Sequence, residues 1–189
     1  MDAALAQTIY DIFSATGADV TFLSSDCVLF KLHTAHLNSN SYVLSQEAAG
    51  NRPVNLPEAA EVLEVLFQFI EPLPASRRNR QPSVLDIEPG LFFAVSEASE
   101  KYRVYAAMNI CVTHVAMANM ASECPFQILN HCVKYGYSDT VDGTAEKSLS
   151  QLLSAAVHNI TSPDVLRRWI LYYEKWRQAG RTSIKILVT

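Results

Sequence analysis

The chain has only four cysteines in 189 residues, at 27, 111, 124 and 132, and no two of them make a Cys-x-x-Cys pair. The close paired ligands of a structural zinc module are therefore missing, and so is a disulfide framework. Cys27, Cys111 and Cys132 lie among apolar residues, where a free thiol behaves as a small hydrophobe. The expected compartment is reducing and intracellular, cytoplasmic or nuclear. Long apolar runs are missing too. No stretch approaches the roughly 20 apolar residues that span a bilayer, and Met1-Asp2-Ala3 opens without a basic, apolar leader, so no membrane anchor and no secretory signal are expected. The six glycines build neither a G-x-x-x-x-G-K-[ST] loop nor a G-x-G-x-x-G turn, which removes the usual grounds for a nucleotide cofactor. No G-x-S-x-G elbow occurs. The chain is expected to be no enzyme, with no cofactor, no bound metal and no small-molecule substrate, because a catalytic site needs a convergent constellation.

Positive charge is scarce over most of the length. Residues 1–147 carry 9 Lys and Arg against 17 Asp and Glu, a net of −8, while residues 163–189 carry 6 against 2. An acidic body speaks against nucleic acid, since phosphate contacts need clustered cations. The basic end reads as a solvated helix face or as a match for an acidic surface.

What is present is a globular composition, 49% apolar and 18% charged, with clear punctuation. Residues 3–16 place Leu5, Ile9, Ile12 and Phe13 on one helical face, closed by Gly17. Two strands follow at about 19–23 and 27–32, with Ser24-Ser25-Asp26 as their turn. A short helix runs from about His33 to Asn38, residues 45–53 read as a loop, and Val54-Asn55-Leu56 as a brief third strand. Pro57 suits the first position of a helix over 58–70, whose polar stripe is narrow enough to predict burial on most sides. The helix after Gly90 is expected to continue through Arg103 to Met120. Helices are also expected over 126–135, 144–158 and from Ser162-Pro163-Asp164 to Gly180, with Ser183 to Val188 a short strand or tail. Strands first and helices afterwards define an α+β class. The expected core is Val20, Phe22, Val28, Phe30, Leu37, Leu63, Leu66, Phe67, Ile70, Val95, Ala98, Met108 and Cys111.

Several phrases carry a family resemblance: Asp19-Val20-Thr21-Phe22-Leu23, then Cys27 to His33 with Leu37, then Leu66-Phe67-Gln68-Phe69-Ile70-Glu71-Pro72 and Ala98-Ser99-Glu100-Lys101-Tyr102. Over about residues 17–121 the chain resembles the BTB (POZ) domain, closest in wording to the divergent fungal BTB group. The resemblance implies a small three-stranded sheet capped by a helix cluster, and a protein-interaction role through homodimerisation, partner recruitment or both. The chain then divides into an N-terminal helix (1–16), the BTB-like domain (17–121), an all-helical extension (122–180) too short for a self-sufficient core and so not an independent domain, and a tail or short strand (181–189). In dimeric BTB proteins a helix in the place of residues 1–16 packs on the other subunit, which makes Leu5, Ile9, Ile12 and Phe13 candidate partner contacts. The alternative role is an adaptor of a cullin-type ubiquitin ligase. Such adaptors carry a Ser-x-x-bulky pattern after the first helix, and Ser41-Tyr42-Val43-Leu44 follows it in outline, adding Tyr42 and Leu44 to the candidates. Two departures stand out. Thr34 follows His33 where many transcriptional BTB proteins have a basic residue, and Glu71 stands where the family usually has an aromatic one.

His33 and His36 have a spacing that can put two imidazoles on one helix face. A metal site needs further ligands, and none stands at a recognisable spacing, so a hydrogen-bonding role at the hairpin–helix corner is expected instead. Arg77-Arg78-Asn79-Arg80 reads as an exposed loop or as an anion contact. Trp169, Tyr173 and Trp176 form a stripe that suits a docked terminal helix or an interface.

Overall fold

The computed structural model describes residues 8, 9, 13, 17–48, 50, 52–71, 82–117 and 120–188, with Thr8, Ile9, Met117 and residues 180–188 described by their backbone alone. The fold is mixed α+β and mostly helical. The chain forms two compact units, residues 1–114 and 115–189.

The first unit is built on the expected hairpin. Strand β2 (Val20–Leu23) runs antiparallel to β3 (Val28–Leu32), with Phe22 opposite Phe30. Val20, Phe22, Phe30 and Leu32 are buried, so the strand alternation puts one face into the core. At the turn Cys27 takes a left-handed φ of 66°. The Ser24 hydroxyl steadies this turn by accepting from the Val28 N–H at 2.9 Å. Two short strands complete the sheet, β1 (Thr8–Ile9) parallel to β3 and β4 (Val54–Asn55) parallel to β2, giving the order β1-β3-β2-β4.

The helix expected over 3–16 is corrected at Thr8–Ile9, which form β1. The apolar spacing there fits a helix, but two adjacent β-branched residues also fit a sheet edge, and pairing with β3 satisfies their backbone. Phe13 is fully buried in the same unit, its ring centroid 5.5 Å from Phe30 and 6.0 Å from Phe67. Phe67 also meets Phe22 at 5.4 Å and Phe30 at 5.3 Å, so four phenylalanines form the centre of this unit.

After the hairpin come α1 (Thr34–Asn40) and α2 (Tyr42–Glu47), separated by Ser41. The polar loop expected from 45 thus begins later, after Glu47. Helix α3 (Ala60–Phe67) starts beyond Pro57, not at it. Ala59 offers its N-terminus no side-chain cap, and Asp26 of the hairpin turn supplies one by accepting from the Ala60 N–H at 2.9 Å. Helix α4 (Pro89–Tyr102) is capped by Glu88 and ends at Arg103, whose φ of 54° is left-handed. The helix expected to continue from 103 is therefore broken, and α5 (Tyr105–Met117) starts afresh. Of the expected core, Val28 and Met108 are only half-buried and the rest is buried.

The second unit contains α6 (Met120–Glu123), α7 (Pro125–Tyr135), α8 (Ser138–Ser148), α9 (Leu153–Asn159) and α10 (Pro163–Val188). Gly136, at φ 79°, terminates α7 as a left-handed cap. The single helix expected over 144–158 is two, broken at 149–152. Helix α10 runs through Gly180 to Val188, which corrects the expected strand or tail. A glycine inside a helix costs only about 1 kcal/mol against alanine, and that does not stop one. This unit has an apolar cluster of its own, Phe126, Leu129, Ala156, Ile160, Val165 and Trp169. The helices of the extension thus pack around a local cluster.

Candidate functional site

Polar chemistry converges where the hairpin meets the helices. His33 ends β3 with an extended backbone (φ −101°, ψ 127°) and occupies the position before α1. Its own side chain caps nothing there. Instead the Asp19 carboxylate accepts from the Thr34 N–H at 2.7 Å. That bond holds the Asp19 carboxyl below its ordinary range, with His33 adding a smaller pull in the same direction.

Glu71 arrives from the other side. It follows the turn after α3, and its N–H donates to the Phe67 carbonyl at 2.8 Å. Its carboxylate is buried and threefold bonded. Oε2 accepts from the His33 backbone N–H at 3.1 Å, while Oε1 lies 2.5 Å from His33 Nδ1 and 3.0 Å from His36 Nδ1. A buried carboxylate needs such partners, since an unpaired one is costly. Asn40 fastens the same corner by donating to the carbonyls of His36 (2.9 Å) and Ile70 (3.4 Å). The Glu71 side chain is 6% exposed, His33 26% and His36 37%, so the carboxylate is the floor of the site and the imidazoles are its rim. His33, His36 and Glu71 each offer one ligand atom, and those atoms lie within 4.8 Å of one another. The helical spacing of the histidines was legible. Glu71 was visible only as a departure from the resembled pattern, being 38 residues away from His33.

The candidate partner residues part company. Leu5 and Ile12 lie outside the described residues, and Ile9 belongs to the sheet. Phe13 and Leu44 are fully buried in the first unit, so neither presents a surface, which corrects both as contact candidates in this conformation. Only Tyr42 is displayed, at 64% exposure. Ser41 is itself buried. Its hydroxyl donates to the Tyr102 carbonyl at 2.6 Å and accepts from the Leu44 N–H at 3.2 Å. Ser41 and Val104 form an isolated antiparallel bridge. Tyr42 and Tyr105, each one residue beyond the bridge, begin α2 and α5, leave it in opposite directions because the pairing is antiparallel, and are both exposed. Sequence reasoning missed Tyr105 because the break at Arg103 was not anticipated. The Arg77–Arg80 cluster lies outside the described residues.

Two further groupings are structural in character. Glu58 accepts from Lys101 Nζ at 2.7 Å and from the Tyr102 hydroxyl at 2.5 Å. Burial, then Glu58, pushes the Tyr102 phenol up. Burial likewise pushes the Cys111 thiol up to about 12 and the Cys132 thiol up to about 11, so both stay protonated near neutrality. In the second unit a groove of about 390 Å³ is lined by Leu129, Val133, Val141, Arg168, Trp169 and Tyr172 among others. Trp169 is buried and donates to Ser148 Oγ at 2.7 Å, while Trp176 is half exposed. The aromatic stripe of α10 thus serves the local core at one end and faces solvent at the other.

No protein-family model matches the chain, and no curated protein matches it. No helix among the described residues is long and apolar enough to cross a membrane.

Proposed function

We propose that this chain is a BTB-type protein-interaction module without enzymatic activity, acting by homodimerisation, partner recruitment or both. The observation that carries the reading is the order of the first unit: hairpin, short helices, a strand returning beside the hairpin, then helices. That order is the one the resemblance implies, and the residues that carry the resemblance, Phe22, Phe30, Leu37, Phe67 and Tyr102, are buried. Support for a binding role comes from Tyr42 and Tyr105, both exposed at the start of helices in the first unit, because aromatic side chains are preferred anchors in interfaces. The homodimer no longer draws support from an N-terminal helix, because Ile9 and Phe13 are committed to their own unit. The cullin-adaptor alternative keeps Tyr42 and loses Leu44.

Capture from an extract of the source cells, followed by identification of the bound proteins, tests the proposal together with light scattering at micromolar concentration. The expected result is either a mass of twice the chain or a specific protein partner lost on Tyr42→Ala with Tyr105→Ala. A monomer that captures nothing beyond the tyrosine double variant's background refutes it. A retained cullin selects the adaptor reading.

A further inference from the structure

We propose that His33, His36 and Glu71 form a binding site for one divalent cation of the zinc type. Two imidazoles and one carboxylate are a three-ligand set that leaves a fourth tetrahedral position open, the composition of a zinc site that keeps a water. Mixed nitrogen and oxygen donors do not suit magnesium or calcium, which take oxygen ligands. The absence of a thiolate leaves the borderline first-row cations, of which zinc is the representative.

The geometry is close to what the ion requires. Both histidines turn Nδ1 toward the same carboxylate oxygen, at 2.5 and 3.0 Å. Ligand atoms about 2.0–2.1 Å from a tetrahedral ion stand about 3.3 Å from one another. The two nitrogen–oxygen spacings therefore need to open by less than about 1 Å, and the ligand atoms, which all lie within 4.8 Å of one another, need to converge on one centre for the cation to sit between Nδ1 and Oε1. Each imidazole would then be neutral, with its remaining proton on Nε2. The half-exposed rims of His33 and His36 provide the opening and the room to move. The floor is preorganised: Glu71 Oε2 stays on the His33 backbone N–H, and Asn40 fixes α1 to the Ile70 carbonyl. Outer contacts of this kind orient metal ligands. The bound ion would join the end of β3 and the start of α1 to the chain beyond α3, so it would act on stability before anything else.

The full chain, freed of metal with chelator, is titrated with zinc chloride by calorimetry and melted with and without the salt. One equivalent is expected to bind, and zinc at about a hundredfold its dissociation constant is expected to raise Tm by about 5–10 °C. Magnesium chloride is expected to do neither. His36→Gln, at the more exposed ligand, is expected to melt near the metal-free protein and to lose both responses. Glu71→Gln serves as a second variant if it folds. Cys27→Ser, which alters an exposed thiol outside the cluster, is expected to keep both responses. No heat and no Tm rise in the unaltered chain, or a response that survives His36→Gln, overturns the proposal. Because stability and stoichiometry are read and not partner capture, its failure leaves the interaction reading standing.

Discussion

Replacing Ser41 with alanine separates a structural serine from a docking one. The side chain is fully buried, and its one oxygen serves two backbone groups. It accepts from the Leu44 N–H at the start of α2, and it donates to the Tyr102 carbonyl at the end of α4 at 2.6 Å. Loss of an N-cap hydroxyl costs about 1 kcal/mol. A buried carbonyl left without its donor costs about 1–3 kcal/mol more. The sum, about 2–4 kcal/mol, corresponds to a fall in Tm of about 6–12 °C for a chain of this length. Urea denaturation is the direct assay, with the midpoint lowered and the slope unchanged. Tyr42→Ala is the partner experiment. At 64% exposure it should leave stability within about 0.5 kcal/mol and act on binding alone. A Ser41→Ala protein within about 0.5 kcal/mol of the parent refutes the reasoning, since even the cap alone is worth about 1 kcal/mol, and one that also loses a partner would return the Ser-x-x-bulky pattern to a docking role.

Phe67→Ala removes the ring that meets Phe13, Phe22 and Phe30, and a loss of about 3–5 kcal/mol is expected in chemical denaturation; an unchanged midpoint would mean that the four rings are not the centre of the first unit. Asp26→Ala removes the remote cap of α3, at a cost discounted for exposure to about 1 kcal/mol near neutral pH. The Asp26 carboxyl is held below its ordinary 3.8 by the Ser24 hydroxyl first and also by the Ala60 N–H, against desolvation. A carboxyl with a depressed folded value stabilises above its unfolded value and loses that contribution as pH falls through the folded one. The gap between parent and variant should therefore be constant well above the ordinary 3.8 and shrink as pH falls below it; a gap that widens on acidification contradicts the assignment.

The hairpin was legible because strand alternation, a polar turn and buried aromatics all point one way, and such agreement is what specifies a fold. The strand at Thr8–Ile9 was not. Its apolar neighbours repeat at helical spacing, and what decides its state is an edge of β3 that lies some twenty residues further along the chain. The break at Arg103 was hidden for a different reason. A left-handed residue is usually announced by glycine or asparagine, and here an arginine takes the position, directly before Val104, which bridges to Ser41. Gly180 misled in the opposite direction, as a glycine that the helix simply continues through.

Glu71 was the most informative departure from the resembled pattern, and its meaning depended on the fold. An acid in place of an aromatic residue, near the end of an apolar helix, reads locally as a surface position. The structure buries it, and a buried carboxylate is tolerated only where donors surround it. Those donors are the His33 backbone and the two imidazoles, brought to it because β2–β3 and α3 share one core through Phe22, Phe30 and Phe67. Among the described residues, the His36 ring meets the Glu71 carboxylate, and the same carboxylate meets the His33 ring. The three residues therefore make physical sense only as a set. An aromatic residue at 71 would leave His33 and His36 as ordinary rim residues, whereas the acid turns the same pair into a polar cluster with the ligand composition of a cation site.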